Sequence, residues 1–268
     1  MLVFLFYGIN MWRKFIRYIS FLLQSKGVHG VHSPFVYELS SQWMRNKQHY
    51  YAWEQIEALR ADLIKDKTIV NVTDYGALGN GKTKRLKLSG ITKRASLPKR
   101  YGKLLFQCVL KANVNTILEL GTSIGIGTAY LASANKNASV YTIEGCPVIQ
   151  KIAASNFDKL GLHHITSVNG NFDDVLPKLL PSLTKIDLVY IDGNHTYEAT
   201  TKYYQLIRPY LSKNALVVID DIYWSKGMEK AWMELKQDAK ATVTIDLYRM
   251  GLLFFKPGQH KEHFKLRF

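Results

Sequence analysis

From Thr116 onward, short apolar runs recur with helix-length segments between them. The runs are Thr116–Leu120, Ser139–Ile143, Ile165–Val168, Leu188–Ile191, Ala215–Ile219, Val243–Leu247 and Leu252–Phe255. Segments with helical patterning, Thr128–Ala134, Val148–Leu160, Val175–Leu180 and Tyr197–Leu211, separate the first five. Strands that are apolar on both faces need cover on both faces, and intervening helices supply it, so the pattern predicts a parallel sheet. Only Tyr248–Gly251 joins the last two runs, too little chain for a crossover helix, so these form an antiparallel hairpin. The expected fold is α/β: a Rossmann-like, doubly wound, mostly parallel seven-stranded sheet with a terminal antiparallel hairpin. Residues 1–100 add a helical, basic N-terminal extension, and residues 101–268 form the main domain.

The extension carries most of the charge. The 268-residue chain has a net charge of +15, and residues 1–100 hold 17 Lys/Arg against six Asp/Glu. Between Lys82 and Lys103 lie nine basic residues and no acid. Such a run suits an anionic acceptor, a phosphate or an anionic lipid surface, or is simply a solvated face. Trp12, Phe15, Ile16, Ile19, Leu22 and Leu23 recur at helical spacing and predict an amphipathic helix packed on the main domain. It should end near Gly27, and a second helix is expected over Ala52–Lys65. His29 and His32 have no acid or cysteine close by in sequence, which argues against a metal pair. At 47% hydrophobic and 21% charged residues, the composition speaks against disorder. Two cysteines, Cys108 and Cys146, build neither a disulfide framework nor a thiolate zinc site. No apolar run has membrane-spanning length, and Met1–Tyr7 lacks the preceding positive charges of a secretory signal. Met11 is read as an alternative start. A cytoplasmic protein is expected; contact with a membrane surface and a homodimer are both compatible with the sequence.

Chemistry concentrates at the ends of the apolar runs. Ile117–Thr128 reads as a strand, a glycine-rich turn through Gly121, Thr122, Ser123, Gly125 and Gly127, and a helix start. The glycines permit a sharp bend and close approach of a ligand. Glu119, two residues before the first glycine, suits a ligand bearing an ammonium group. The second strand ends at Glu144, where a carboxylate accepts from both hydroxyls of a ribose. The fourth strand ends at Asp192-Gly-Asn-His195 and the fifth at Asp220-Asp221, so in a parallel sheet all of these emerge on one edge. Three converging carboxylates repel unless a cation sits among them, and an oxygen-rich set suits Mg²⁺. The alternative gives Asp221 a helix-capping role and Asp192 a loop-holding one.

The motif series Glu-Leu-Gly-Thr-Ser-Ile-Gly-Ile-Gly-Thr, the acid of Tyr-Thr-Ile-Glu144 and the later Tyr-Ile-Asp192-Gly-Asn-His resembles class I S-adenosylmethionine-dependent methyltransferases. Within them it is similar to the small-molecule O-methyltransferases related to catechol O-methyltransferase, over about residues 100–256. The resemblance implies that the glycine loop wraps the methionine part of S-adenosylmethionine, that Glu119 holds its amino group and that Glu144 binds its ribose. Asn171 stands near the position where the family often has an acid beside the adenine. Asp192, Asp220 and Asp221 match the metal ligands of the Mg²⁺-dependent relatives. His195 occupies the place of their proton-accepting lysine, and histidine is a competent general base near neutral pH. The implied enzyme moves a methyl group to a hydroxyl of a small, anionic or aromatic acceptor, with Asp192 and His195 at the reacting oxygen and Tyr223-Trp224 closing the acceptor pocket.

Two other readings compete. Gly76-Ala-Leu-Gly-Asn-Gly-Lys-Thr83 satisfies the phosphate-binding P-loop pattern, but the basic, glycine-interrupted segment after it is a poor helix start. It is expected to form a basic loop at the mouth of the cofactor cleft. A nucleic-acid methyltransferase is supported only by the net charge; the fourth strand lacks the Asn/Asp-Pro-Pro-Tyr/Phe used on base amines. A non-catalytic protein docking to an anionic membrane or partner is the third class.

Overall fold

A computed structural model of the chain describes Trp12, residues 15–76 and residues 81–268, the side chains of His29 and Asp74 excepted. The N-terminal part contains α1 (15–24), α2 (Pro34–Glu38) and α3 (Tyr51–Lys65), then an antiparallel pair, β1 (Ile69–Asp74) and β2 (Lys82–Lys87). Next come α4 (Leu88–Ala95) and α5 (Lys99–Lys111). The main sheet then alternates β3 (Thr116–Leu120), α6 (Ile126–Ala134), β4 (Ser139–Glu144), α7 (Pro147–Lys159), β5 (Ile165–Asn169), α8 (Phe172–Leu179), β6 (Ile186–Ile191), α9 (Tyr197–Ile207) and β7 (Leu211–Ile219). It closes with α10 (Lys226–Leu235), β8 (Val243–Asp246), β9 (Gly251–Phe254) and β10 (Glu262–Lys265).

The sheet order is β10-β8-β9-β7-β6-β3-β4-β5. Strands β3 to β7 pair in parallel, and β9 runs antiparallel to both β7 and β8. Alternate residues of one strand enter different cores. Leu188 and Tyr190 of β6 pack on one face, and Val189 and Ile191 pack on the other. Both faces are therefore covered, as the continuous apolar runs require. The sheet has eight strands rather than the expected seven. The extra one, β10, pairs parallel with β8 at the edge. It is only partly buried, so it lacks the apolar run that marks the interior strands.

The N-terminal helices share the core of the sheet. Val36, Leu39, Trp43, Trp53 and Ile56 belong to the same cluster as Leu104, Leu105, Ile117 and Leu188. The proposed stripe on α1 is corrected here: Trp12, Phe15, Ile16, Ile19 and Leu23 are exposed. The helix docks instead through buried Phe21 and through Tyr18, whose rings lie 5.4 and 5.0 Å from that of Tyr248, and through an Arg17–Glu229 ion pair. Among the described residues no helix is long and apolar enough to cross a membrane.

The P-loop pattern is resolved by β2. Thr83 lies within a strand paired to β1, where a phosphate-binding loop would open a helix. The expected loop thus gives way to a hairpin strand from Lys82 onward, and residues 77–80 of the pattern lie outside the described set.

Candidate active site

The carboxyl ends of β3, β4 and β6 border one cleft of about 510 Å³, lined by Gly121, Ser123, Glu144, Gly145, Asn171, Asp192, His195 and Tyr203. The β1–β2 hairpin and α4 form its other wall, with Tyr75, Lys84, Leu86 and Arg94. Gly121 lets β3 and β6 come together at the rim. Its φ is +102°, and a Cβ there would meet the Asp192 carbonyl oxygen at 2.1 Å. Gly125, at φ +86°, has a different job: a Cβ would strike the Phe157 ring at 2.5 Å, so this glycine serves the packing of α6 against α7.

Glu119 is fully buried behind the glycine turn. Its Oε2 accepts from the Thr128 hydroxyl and, at 2.6 Å, from the Thr142 hydroxyl. Thr122 lies 2.5 Å from Thr142, and since Thr142 spends its hydrogen on the carboxylate, Thr122 donates to Thr142. The other carboxylate oxygen, Oε1, is buried with no partner. It borders a small recess shared with Gly121, Ser123, Gly127 and Asp192, and a Cβ at Gly127 would lie 3.2 Å from it. Burial pushes the Glu119 carboxyl up to about 7, against the two threonine hydrogen bonds, which pull it down.

Glu144 is held by the backbone. Its Oε2 accepts from the Ser123 N–H and its Oε1 from the Cys146 N–H, both at 2.9 Å. Ser123 reaches this position with φ +49°, an unusual conformation for a residue other than glycine. Burial raises the Glu144 carboxyl above its ordinary value, and these N–H donors oppose the rise. Asn171 caps α8: its Oδ1 accepts from the Asp173 N–H at 3.1 Å.

On the neighbouring rim, His195 Nε2 stands 3.6 Å from Asp192 Oδ1, both side chains about one-fifth to one-quarter exposed. Tyr190, in β6, directs its hydroxyl to Asp192 Oδ2 at 3.0 Å and to Asp220 Oδ2 at 3.2 Å. Asp220 is fully buried and ion-paired with Arg249, from the turn between β8 and β9, at 3.0 Å (Nε to Oδ1) and 2.9 Å (Nη2 to Oδ2). Asp221 Oδ1 lies 3.8 Å from the same guanidinium. Burial, followed by the charges of Asp220 and Asp221, drives the Asp192 carboxyl well above the usual range.

Residues 118–222 match the family model described as "Methyltransferase domain". A catechol O-methyltransferase of Niastella koreensis is 29% identical over 130 residues, which span 47% of this chain and 58% of that relative. In architecture the chain is similar to an O-methyltransferase of Bacillus cereus in complex with SAH (TM-score 0.58, 15% identity, 79% of this chain and 94% of that one). It is also similar to the O-methyltransferase TomG of Streptomyces achromogenes, involved in tomaymycin synthesis, in complex with SAM (TM-score 0.53, 20% identity, 60% and 82%).

The sequence-predicted Glu119, Gly121, Ser123, Gly127, Glu144, Asn171, Asp192 and His195 all meet at the two adjoining cavities. Besides Gly125, which serves helix packing, the following points refine the assignments. The Thr122 side chain is turned inward to Thr142, leaving only its backbone for a ligand. Asn171 Oδ1, read as an acceptor for adenine, accepts one N–H as a helix cap and keeps a second lone pair, and the residue lines the cleft. The set Asp192, Asp220 and Asp221 does not fit Mg²⁺. Both oxygens of Asp220 face the Arg249 guanidinium, whose charge opposes a cation there, and among the described residues no group of three or more His, Cys, Asp or Glu side chains is arranged to hold a metal. Tyr223 is likewise committed elsewhere: its hydroxyl donates to Asp246 and its ring stands 5.4 Å from that of Tyr248. Sequence reasoning missed Arg249, Tyr190, Thr128 and Thr142, and the hairpin residue Tyr75, whereas Lys84 belongs to the basic run it had set at the cleft mouth. An arginine in the four-residue link between the last two apolar runs was the one available signal.

Proposed function

We propose that the protein transfers a methyl group from S-adenosylmethionine to a hydroxyl of a small molecule, residues 101–268 binding the donor and residues 1–100 shaping the acceptor side. The observation that carries this reading is Glu119 Oε1, buried without a partner beside the glycine turn. A buried carboxylate oxygen left unpaired is costly, and a ligand ammonium removes that cost. The second support is Glu144, whose two oxygens each accept one backbone N–H and retain acceptor capacity for the two hydroxyls of a ribose.

S-adenosylmethionine, when bound, supplies an electrophilic methyl carbon on a sulfonium centre. The chain has to align an oxygen with that carbon and exclude water. His195 is the base that takes the hydroxyl proton, and Asp192 beside it stabilises the imidazolium that forms. No step is routed through Mg²⁺, because the Arg249 guanidinium already faces both oxygens of Asp220 and its charge opposes a divalent cation there. Tyr75, Lys84 and Arg94 border the same cleft and favour an acceptor that is aromatic, anionic or both. The two free, buried cysteines Cys108 and Cys146 suit a cytoplasmic setting.

The test is to incubate the full chain with methyl-labelled S-adenosylmethionine and a panel of catechols and phenolic acids. Label recovered as a methyl ether supports the reading. Label found only on RNA, or consumed by no hydroxyl in the panel while a nitrogen or carbon acceptor takes it, overturns it.

A further inference from the structure

Three carboxylates on one rim need a cation, and the structure holds one built into the chain. Asp220 is fully buried at the end of β7, a position where an uncompensated charge costs several kcal/mol, on the order of the full penalty for a broken buried pair. Arg249 meets it with a two-pronged contact, at 3.0 Å and 2.9 Å, and reaches within 3.8 Å of Asp221. The Tyr190 hydroxyl joins Asp220 to Asp192, so the guanidinium is connected through one ring to the carboxylate beside His195. The turn that carries Arg249 is fixed as well. The Ile222 N–H donates to the Arg249 carbonyl at 3.0 Å, which ties the turn to the residue after the aspartate pair. On its other side the guanidinium carbon lies 5.8 Å from the centre of the Tyr101 ring of α5. Arginine is charged at every relevant pH and, unlike a bound ion, cannot be removed by a chelator.

We infer that Arg249 is the resident cation of this rim, compensating carboxylates whose charge would otherwise attract a divalent metal, and that it positions Asp192 through Asp220 and Tyr190 for proton acceptance by His195. The inference rests on the methyl-transfer reading above for the role of His195; the charge compensation stands on the geometry alone. Arg249 is a positioning residue, since it acts through Asp220.

The experiment is an electron paramagnetic resonance titration of Mn²⁺ into the full chain with S-adenosylhomocysteine present, for wild type, Arg249→Gln and Asp220→Asn/Arg249→Gln. Wild type should leave the Mn²⁺ signal unattenuated. Arg249→Gln should bind one Mn²⁺ with affinity raised at least about tenfold, the freed carboxylates now acting as ligands. The double variant, with two neutral amides facing each other, should lose that site. Where Arg249→Gln is poorly folded, its melting temperature should recover on adding MnCl₂, while that of wild type does not move. A wild-type protein that binds one Mn²⁺, lost in Asp220→Asn, overturns the inference, and so does an Arg249→Gln variant whose fold and Mn²⁺ affinity both match wild type. Calorimetry of S-adenosylhomocysteine on the same samples separates the two claims. Absent binding sinks the donor site, whereas intact binding with a wild-type Mn²⁺ site sinks only the role of Arg249.

Discussion

The two halves of the cleft are built differently. The donor half, Glu119 through Glu144, comes from one strand–turn–helix–strand unit whose parts are neighbours in sequence and in the sheet. Its carboxylates are positioned by local donors: threonines from α6 and β4 for Glu119, and backbone N–H groups for Glu144. The acceptor rim is assembled from β6, β7 and the β8–β9 turn, and its charge balance depends on an arginine 29 residues beyond the aspartate it meets. Locally built sites show in a sequence as motifs. Sites completed from a distance show only their larger, like-charged part, which is why the aspartate trio read as a metal site.

That contrast can be broken at several points. Gly121→Ala should have the largest effect, because a Cβ would sit 2.1 Å from a backbone oxygen at a positive φ. Chemical denaturation should show a loss of about 3–5 kcal/mol, or no folded protein; a loss under about 1 kcal/mol would mean that β3 and β6 are not held this closely. Glu144→Ala removes the proposed acceptor of two ligand hydrogen bonds and should weaken S-adenosylhomocysteine by about 100-fold, measured by calorimetry, with the fold retained. His195→Ala belongs to the other half, so turnover should fall by about 100-fold while affinity for S-adenosylhomocysteine stays within about twofold of wild type. Equal loss of both would erase the division between donor and acceptor halves.

A smaller effect concerns pH. Folding raises the Glu119 carboxyl from 4.5 to about 7. Its contribution to stability in the ligand-free chain is therefore complete below the unfolded value and is lost as pH rises through 7. A bound ammonium group reverses that loss, because it favours the ionised carboxylate. The melting-temperature increase from S-adenosylhomocysteine should be larger at about pH 8 than at about pH 6, corresponding to about tenfold in affinity. Glu119→Gln should flatten that dependence. Reversing charge at Lys84 and Arg94 should give the smallest change, a weaker anionic acceptor with donor affinity unaltered.

Much of the sheet was legible because apolar runs of strand length are a direct consequence of burial on two faces, as in Leu188–Ile191 and Ala215–Ile219. Edge strand β10 was not, since its Glu-His-Phe-Lys buries too little to leave a pattern. The apolar stripe of α1 misled for a related reason. The helix touches the body through Phe21 and Arg17, while the apolar residues that set its periodicity face outward. In the site, residue type and strand-end position located Glu119, Glu144, Asp192 and His195. Neither reveals which oxygens are already spent, and this is what distinguished Asp220, bound to Arg249, and Thr122, turned to Thr142, from free ligands.

The most direct measurement is calorimetric titration of S-adenosylhomocysteine into the full chain near neutral pH, with Glu119→Gln alongside. One binding site per chain in the wild type, with affinity much reduced in the variant, is the result this account expects. Heat no different from dilution at millimolar ligand, or equal affinity in both proteins, would contradict it.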